Sequence, residues 1–229
     1  MLVESITVEG DIMEENIKVA DEQQTKDAGF KKVNEPPSAV EPESIKTNNL
    51  FTSIVHTSFF SPEQCNAVIE ACESPLWIQG EVNDGQIDKK LRNVKQQGLM
   101  MNEEGWPHTR ILDLMKQANE ARYKFDVSGF MNYDAPMIME YGKGCHYDWH
   151  IDVGKAVPNR KLSFTIQLSK PEDYEGGDLE FLGTETKAEA FRQQGTCIIF
   201  PSFLAHKINK IKSGTRYAIV GWIHGPTYI

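Results

Sequence analysis

Cysteine is scarce in this chain, and what there is forms no pattern. Cys65, Cys72, Cys145 and Cys197 contain no C-x-x-C pair. Neither a zinc finger nor a disulfide framework fits them, and four reduced, buried thiols are expected. No apolar run approaches the ~20 residues that a membrane-spanning helix needs. The opening MLVESITVEGDIMEENIKVADEQQ has no basic stretch followed by an apolar one, so neither a signal peptide nor a membrane partner is expected. Basic residues are outnumbered, with 24 Lys and Arg against 33 Asp and Glu and a net charge of −9. Binding along a phosphate backbone needs clustered Lys and Arg, so no specific nucleic-acid partner is expected. A reducing cytoplasm suits these features best.

The 229 residues suffice for one domain of ordinary size with a tail. Residues 1–47 hold eleven acidic and five basic residues, a single aromatic (Phe30), and the linker-like NEPPSAVEPES. They are read as an acidic tail or linker, partly ordered at most, and residues 48–229 as the folded domain. LFTSIVHTSF reads as a strand. In SPEQCNAVIEACES, Ser61 is an N-cap, Pro62 takes the first helical position and Gln64 closes a capping box. Cys65, Val68, Ile69 and Cys72 then fall on one helical stripe. A second helix is predicted from about Glu104 to Tyr123. The polar, Gly-punctuated segment from Gly80 to Gly98 contains Lys89, Lys90, Arg92 and Lys95, and reads as a solvated hairpin or a lid.

After Phe125 eight short strands follow, from FDVSGFMNY to RYAIVGWI, separated by Gly, Pro and Asp turns. The fold class is mainly β with flanking helices (α+β), arranged as a sandwich or jelly-roll barrel.

CHYDWHID carries one pattern twice: His146-x-Asp148 and His150-x-Asp152. A His and an Asp two apart on one strand can supply part of a mononuclear metal site. Strict alternation would put all four on one face and leave the pairs equivalent. The Gly- and Pro-rich VGKAVPNRK that follows ends the strand at Asp152, and a bend there lets the carboxylate swing beside His150. His206, just after the Pro-Ser turn of PSFLAHKINK, is placed to add a third ligand from a distant strand. Ten residues on, Arg216 opens an apolar strand; a buried Arg requires an anion, either a structural carboxylate or a small diacid.

Taken in order, Tyr141, Tyr147-x-x-His150-x-Asp152, His206 and Arg216 resemble the Fe(II)- and 2-oxoglutarate-dependent dioxygenases, and more narrowly the prolyl-4-hydroxylase-like, PKHD-type branch. The resemblance runs from about Phe51 to Pro226. It implies a double-stranded β-helix, with Fe(II) held by His150, Asp152 and His206. The tyrosines match the family spacing for His150 and not for His146. 2-Oxoglutarate would be held by Arg216, with Tyr141 and Gln167 near its far carboxylate. Dioxygen would be the oxidant, and ascorbate would support activity. The implied reaction is hydroxylation of an aliphatic C–H, foremost in a prolyl residue of a protein or peptide, with release of succinate and CO2. The same chemistry on a free amino acid or other small molecule is the alternative, and a non-catalytic jelly-roll module with a vestigial metal site is the alternative of another class. Tyr147, Trp222 (on Arg216's face by alternation), His146, Asp148 and Arg92 are candidate pocket or substrate contacts.

Overall fold

Ser61 begins the first helix as its sequence requires. Its hydroxyl accepts from the Gln64 N–H, and the Gln64 side chain accepts from the Ser61 N–H. The computed structural model describes residues 50–72, 74–82, 85–183 and 189–228; the acidic tail expected over residues 1–47 lies outside them. The elements run β1 (Ile54–His56), α1 (Pro62–Glu70), β2 (Ile78–Gln79), β3 (Arg92–Asn93), β4 (Lys95–Gly98), α2 (His108–Ala118), β5 (Met137–Tyr141), β6 (His146–His150) and β7 (Arg160–Gln167). They continue with β8 (Tyr174–Gly176), β9 (Leu179–Phe181), β10 (Cys197–Pro201), β11 (His206–Ile208), β12 (Ile211–Gly214) and β13 (Arg216–His224).

Three antiparallel sheets result. The largest has the order β1-β10-β7-β13-β5-β4-β2, the second β3-β6-β11-β9, and β12 pairs with β8. One apolar cluster holds Met139, Tyr141, Ile198 and Phe200 of the large sheet with Leu179, Phe181 and Ile208 of the smaller one, so these two sheets pack face to face. A second cluster joins Leu162, Phe164, Ile166, Ile199, Ile219 and Ile223 to Cys65 and Val68 of α1 and Ile111 and Met115 of α2. The helices thus cover the outer face, and the jelly-roll expectation is met.

β7 lies inside the large sheet, between β10 and β13, and is buried on both faces. Leu162, Phe164 and Ile166 point to the helices, each contributing ~1.5–3 kcal/mol by burial. The alternate residues Ser163, Thr165 and Gln167 are also buried but polar, and face the space between the sheets. That polar row marks where the interior is not filled by apolar packing.

Four expectations need correction. FDVSGFMNY forms no strand: its links are single bridges, Gly129 to His224 and Met131 to Asp134. Gly129 has φ +126°, which breaks an extended run. The long helix stops at Ala118 and continues only as a π-helical turn, Asn119–Tyr123, closed by left-handed Lys124. The Asn119 amide turns back to bond both the N–H and C=O of Phe125, which competes with further helix. LAHKINKI divides between β11 and β12, which pair with different partners. The Gly80–Gly98 segment is a solvated hairpin only at its tip, where Val82 and Gln86 bridge and residues 85–90 are exposed; beyond that β3 pairs with β6 and β4 with β5, so it is not a detached lid.

Gly195 shows how tightly α1 is set against the sheet. It has φ +82°, its carbonyl accepts from the Phe60 N–H, and an added Cβ would collide with the Phe60 carbonyl. Gly195→Ala is expected to destabilise the fold by at least ~1–2 kcal/mol from the left-handed backbone alone, read as a lower urea midpoint with unchanged slope.

Candidate metal and cosubstrate site

β6 does not alternate strictly. His206 of β11 pairs with His150 and Ile208 with Tyr147, so β6 carries one extra residue between those pairs. This bulge puts Tyr147 and His150, three apart, on the same inward side. Both line a cavity of about 760 Å³ between the sheets. His146 and Asp148 do not line it, contrary to the single face that alternation implied. The His146 ring contacts the carbonyls of Gly144 and Lys90, and the Asp148 carboxylate accepts from the Trp149 N–H.

Past the end of β6, the Asp152 N–H donates to the Ser202 carbonyl, which turns the chain inward. His150, Asp152 and His206 then present one ligand atom each, all within 4.8 Å of one another. Nε2 of His150 lies 3.6 Å from Asp152 Oδ1, and Nε2 of His206 lies 3.6 Å from Oδ2. Nδ1 of His150 faces the Asp148 carbonyl at 2.7 Å, and Nδ1 of His206 faces the Leu204 carbonyl at 2.9 Å. A carbonyl can only accept, so each Nδ1 carries the proton and each Nε2 keeps its lone pair for the centre. The Ser163 hydroxyl donates to Asp152 Oδ2 at 2.7 Å. Burial holds His206 neutral, its pKa pushed down to about 4. Burial also opposes ionisation of Asp152, but the two imidazoles and the Ser163 hydroxyl outweigh it and hold the carboxyl well below the usual range. Two imidazole nitrogens and one carboxylate converging in this way fit a divalent transition metal.

Arg216 opens β13 opposite Tyr141 of β5, its guanidinium 5.3 Å from that ring. It is 4% exposed and lines the same cavity. Its Nε donates to Gln167 Oε1 at 3.0 Å. Among the described residues no carboxylate pairs with it, so the salt-bridge alternative has no partner here. A buried guanidinium with only neutral neighbours fits an anionic ligand. Tyr141 lines the cavity too, and burial pushes its phenol up, keeping it neutral. Gln167 does not line the cavity; it stands behind Arg216 and also bonds the Tyr174 hydroxyl and the Ser169 carbonyl. Gly177, at φ +68°, has no room for a Cβ beside Ile211 and the Arg216 stem.

Trp222 and Arg92 also line the cavity. Trp222 is overlaid by the Arg160 guanidinium at 3.4 Å. Arg160, Asp134 and His224 form a buried group that sequence reasoning missed. Arg160 grips both oxygens of Asp134 (2.7 and 2.6 Å) and donates to the Asp152 carbonyl at 3.2 Å. His224 Nε2 stands 2.8 Å from Asp134 Oδ2. Burial raises the Asp134 pKa, but His224 and Arg160 reverse this and leave it lowered. Ser163 was missed as well; its signal was the polar alternation within β7. Among the described residues no helix is long and apolar enough to cross a membrane.

The model of the 2OG-Fe(II) oxygenase superfamily matches residues 136–224, which hold all of these inward strands except β3, β4 and part of the rim. A PKHD-type hydroxylase of Prochlorococcus marinus (strain AS9601) is 31% identical over 157 residues, covering 66% of this chain and 67% of that protein. One from Hyphomonas neptunium is 38% identical over 99 residues, covering 41% of this chain but only 44% of its own length. A third, from Picosynechococcus, is likewise spanned over 40% of its length. Among solved structures, a prolyl hydroxylase in complex with a hypoxia inducible factor peptide fragment, from Trichoplax adhaerens, superposes with a TM-score of 0.64 at 18% identity, covering 77% of this chain and 85% of that one. A Pseudomonas putida prolyl-4-hydroxylase gives 0.59 at 18% identity, covering 76% and 92%. At such identities these two speak for the fold. Sequence and fold agree, and the chain belongs to the 2OG-Fe(II) oxygenase superfamily, in its PKHD-type hydroxylase branch.

Proposed function

We propose that this protein is an Fe(II)- and 2-oxoglutarate-dependent dioxygenase that hydroxylates an aliphatic C–H, foremost in a prolyl residue of a protein or peptide, with release of succinate and CO2. One observation carries the reading. The three converging donors of His150, Asp152 and His206 share a cavity with Arg216, a buried cation that pairs with no carboxylate among the described residues. Donors from one side leave the other positions of a metal open to ligands.

Bound there, Fe(II) and 2-oxoglutarate would supply oxygen activation and reducing electrons, which no side chain offers, with ascorbate keeping the metal reduced. The chain's own residues supply the geometry. The Nδ1–H bonds aim both Nε2 lone pairs, and Ser163 fixes one Asp152 oxygen while Oδ1 stays free. Arg216, braced through Nε by Gln167, offers its Nη groups to the far carboxylate of a diacid, and the neutral Tyr141 phenol offers a further hydrogen bond. Phe200, Ile208, Val220 and Trp222 supply apolar wall around these groups. A peptide substrate is favoured by the family branch, and by the peptide bound to the Trichoplax prolyl hydroxylase of similar fold.

Incubation with Fe(II), ascorbate and 2-oxoglutarate is expected to release succinate, and more of it when a prolyl peptide is present; no succinate under any condition would refute the enzyme reading. His150→Ala, Asp152→Ala and His206→Ala should abolish turnover, whereas His146→Ala and Asp148→Ala should leave metal binding intact in a titration. Ser163→Ala is expected to weaken metal affinity by ~10–100-fold, the usual effect of losing a group that orients a ligand. Arg216→Ala should raise the KM for 2-oxoglutarate by roughly 10–100-fold, the range for a charge-assisted hydrogen bond; an unchanged KM would remove it from that role.

A further inference from the structure

A second buried cation lines the cavity and has no use in the scheme above. Arg92 is 9% exposed. It pairs across β3 and β6 with Tyr147, and its guanidinium carbon lies 4.9 Å from that ring. The same Tyr147 ring stacks on the His150 imidazole, centroids 3.4 Å apart and planes within 9°. One phenol ring therefore contacts both the Arg92 charge and a proposed metal ligand.

All of its hydrogen-bond partners are neutral: the Glu81 carbonyl on Nη1, and the Gln96 amide oxygen and Met139 sulfur on Nη2. Its Nε is buried without an acceptor, packed beneath Gly80. Among the described residues no carboxylate pairs with it. The other charges around the cavity are accounted for differently. Asp134 takes Arg160, Asp152 faces the two imidazoles, and Glu81 and Lys155 are exposed at the rim. A neutral side chain could strap β3 to Glu81 and Gln96 without the cost of burying a charge. Nη1 carries two hydrogens and shows one acceptor, which leaves one N–H available.

We propose that Arg92 is an anion subsite that receives a carboxylate carried by the substrate. The inference rests on the dioxygenase reading, since it takes this cavity to be where substrate binds. The carboxylate would come from the α-carboxyl of a free amino acid or from an acidic residue beside the target in a peptide. In either case the charge is recognised while the body of the substrate lies over Tyr147, towards His150.

The test uses the full-length protein loaded with Mn(II) and 2-oxoglutarate, and calorimetric titration with two matched pairs of probes. L-proline against L-prolinamide examines the free amino acid. Acetyl-Glu-Pro-amide against acetyl-Gln-Pro-amide examines the acidic peptide. In the wild type the acid of one pair is expected to bind roughly tenfold or more tighter than its amide, as a charge-assisted hydrogen bond gives, and that pair identifies the source. Arg92→Gln should bring the ratio close to one, and Arg92→Lys should keep part of it. A purely structural strap would weaken both members of a pair alike and leave the ratio unchanged, which would overturn the proposal. So would the absence of any acid preference in the wild type while Mn(II) and 2-oxoglutarate bind. Failure of Mn(II) and 2-oxoglutarate themselves to bind would bring down the dioxygenase reading and this inference together.

Discussion

The extra residue that β6 accommodates between Tyr147 and His150 sets where the small sheet points its side chains. Without it, Tyr147 and His150 would lie on opposite faces, and the Arg92–Tyr147–His150 stack could not form. The bulge also brings the Asp148 carbonyl to His150 Nδ1, which fixes the tautomer that leaves Nε2 free. Asp152 can then close on the same centre, because the Ser202 carbonyl catches its N–H just past the strand. A local irregularity of backbone thus selects one His-x-Asp pair over its neighbour.

Charge compensation is the second constraint. Asp152, Asp134, Arg160, Arg216 and Arg92 all line one space, where unpaired charge is costly. Asp134 and Arg160 satisfy each other bidentately, with His224 behind them. Asp152 is held ionised by imidazoles and a hydroxyl. Among the described residues Arg216 and Arg92 bond only neutral groups, which favours an anion beside them. Polar and charged side chains share the cavity wall with apolar ones such as Phe164, Phe200, Ile208 and Val220.

Much of this was legible in the sequence, for identifiable reasons. The capping box at Ser61 and the strand Arg216–His224 depend on local chemistry and periodicity, and both took the expected form. The spacing of His150, Asp152, His206 and Arg216 survives any folding detail, because it is written in the order of the chain. What failed depended on tertiary context. The bulge in β6 has no Gly to announce it. Asn119 could not be foreseen as the residue that bonds Phe125 and ends the regular helix. Ser163 and Thr165 alternate with Leu162, Phe164 and Ile166, and only the second sheet makes their polar face interior. Asp134, Arg160 and His224 are widely spaced along the chain, and each alone is unremarkable.

The Arg160 fork carries a mechanical implication. It grips Asp134, which is bonded to the last residue of β13, and it also holds the carbonyl of Asp152. The far end of a core strand is therefore tied to the carboxylate-bearing loop by a rigid, planar strut. Displacement at one end is transmitted to the other rather than absorbed by the loop. Whatever presses on the Trp222 side of the cavity, where this strut lies against the indole, also pulls on the backbone that aims Asp152.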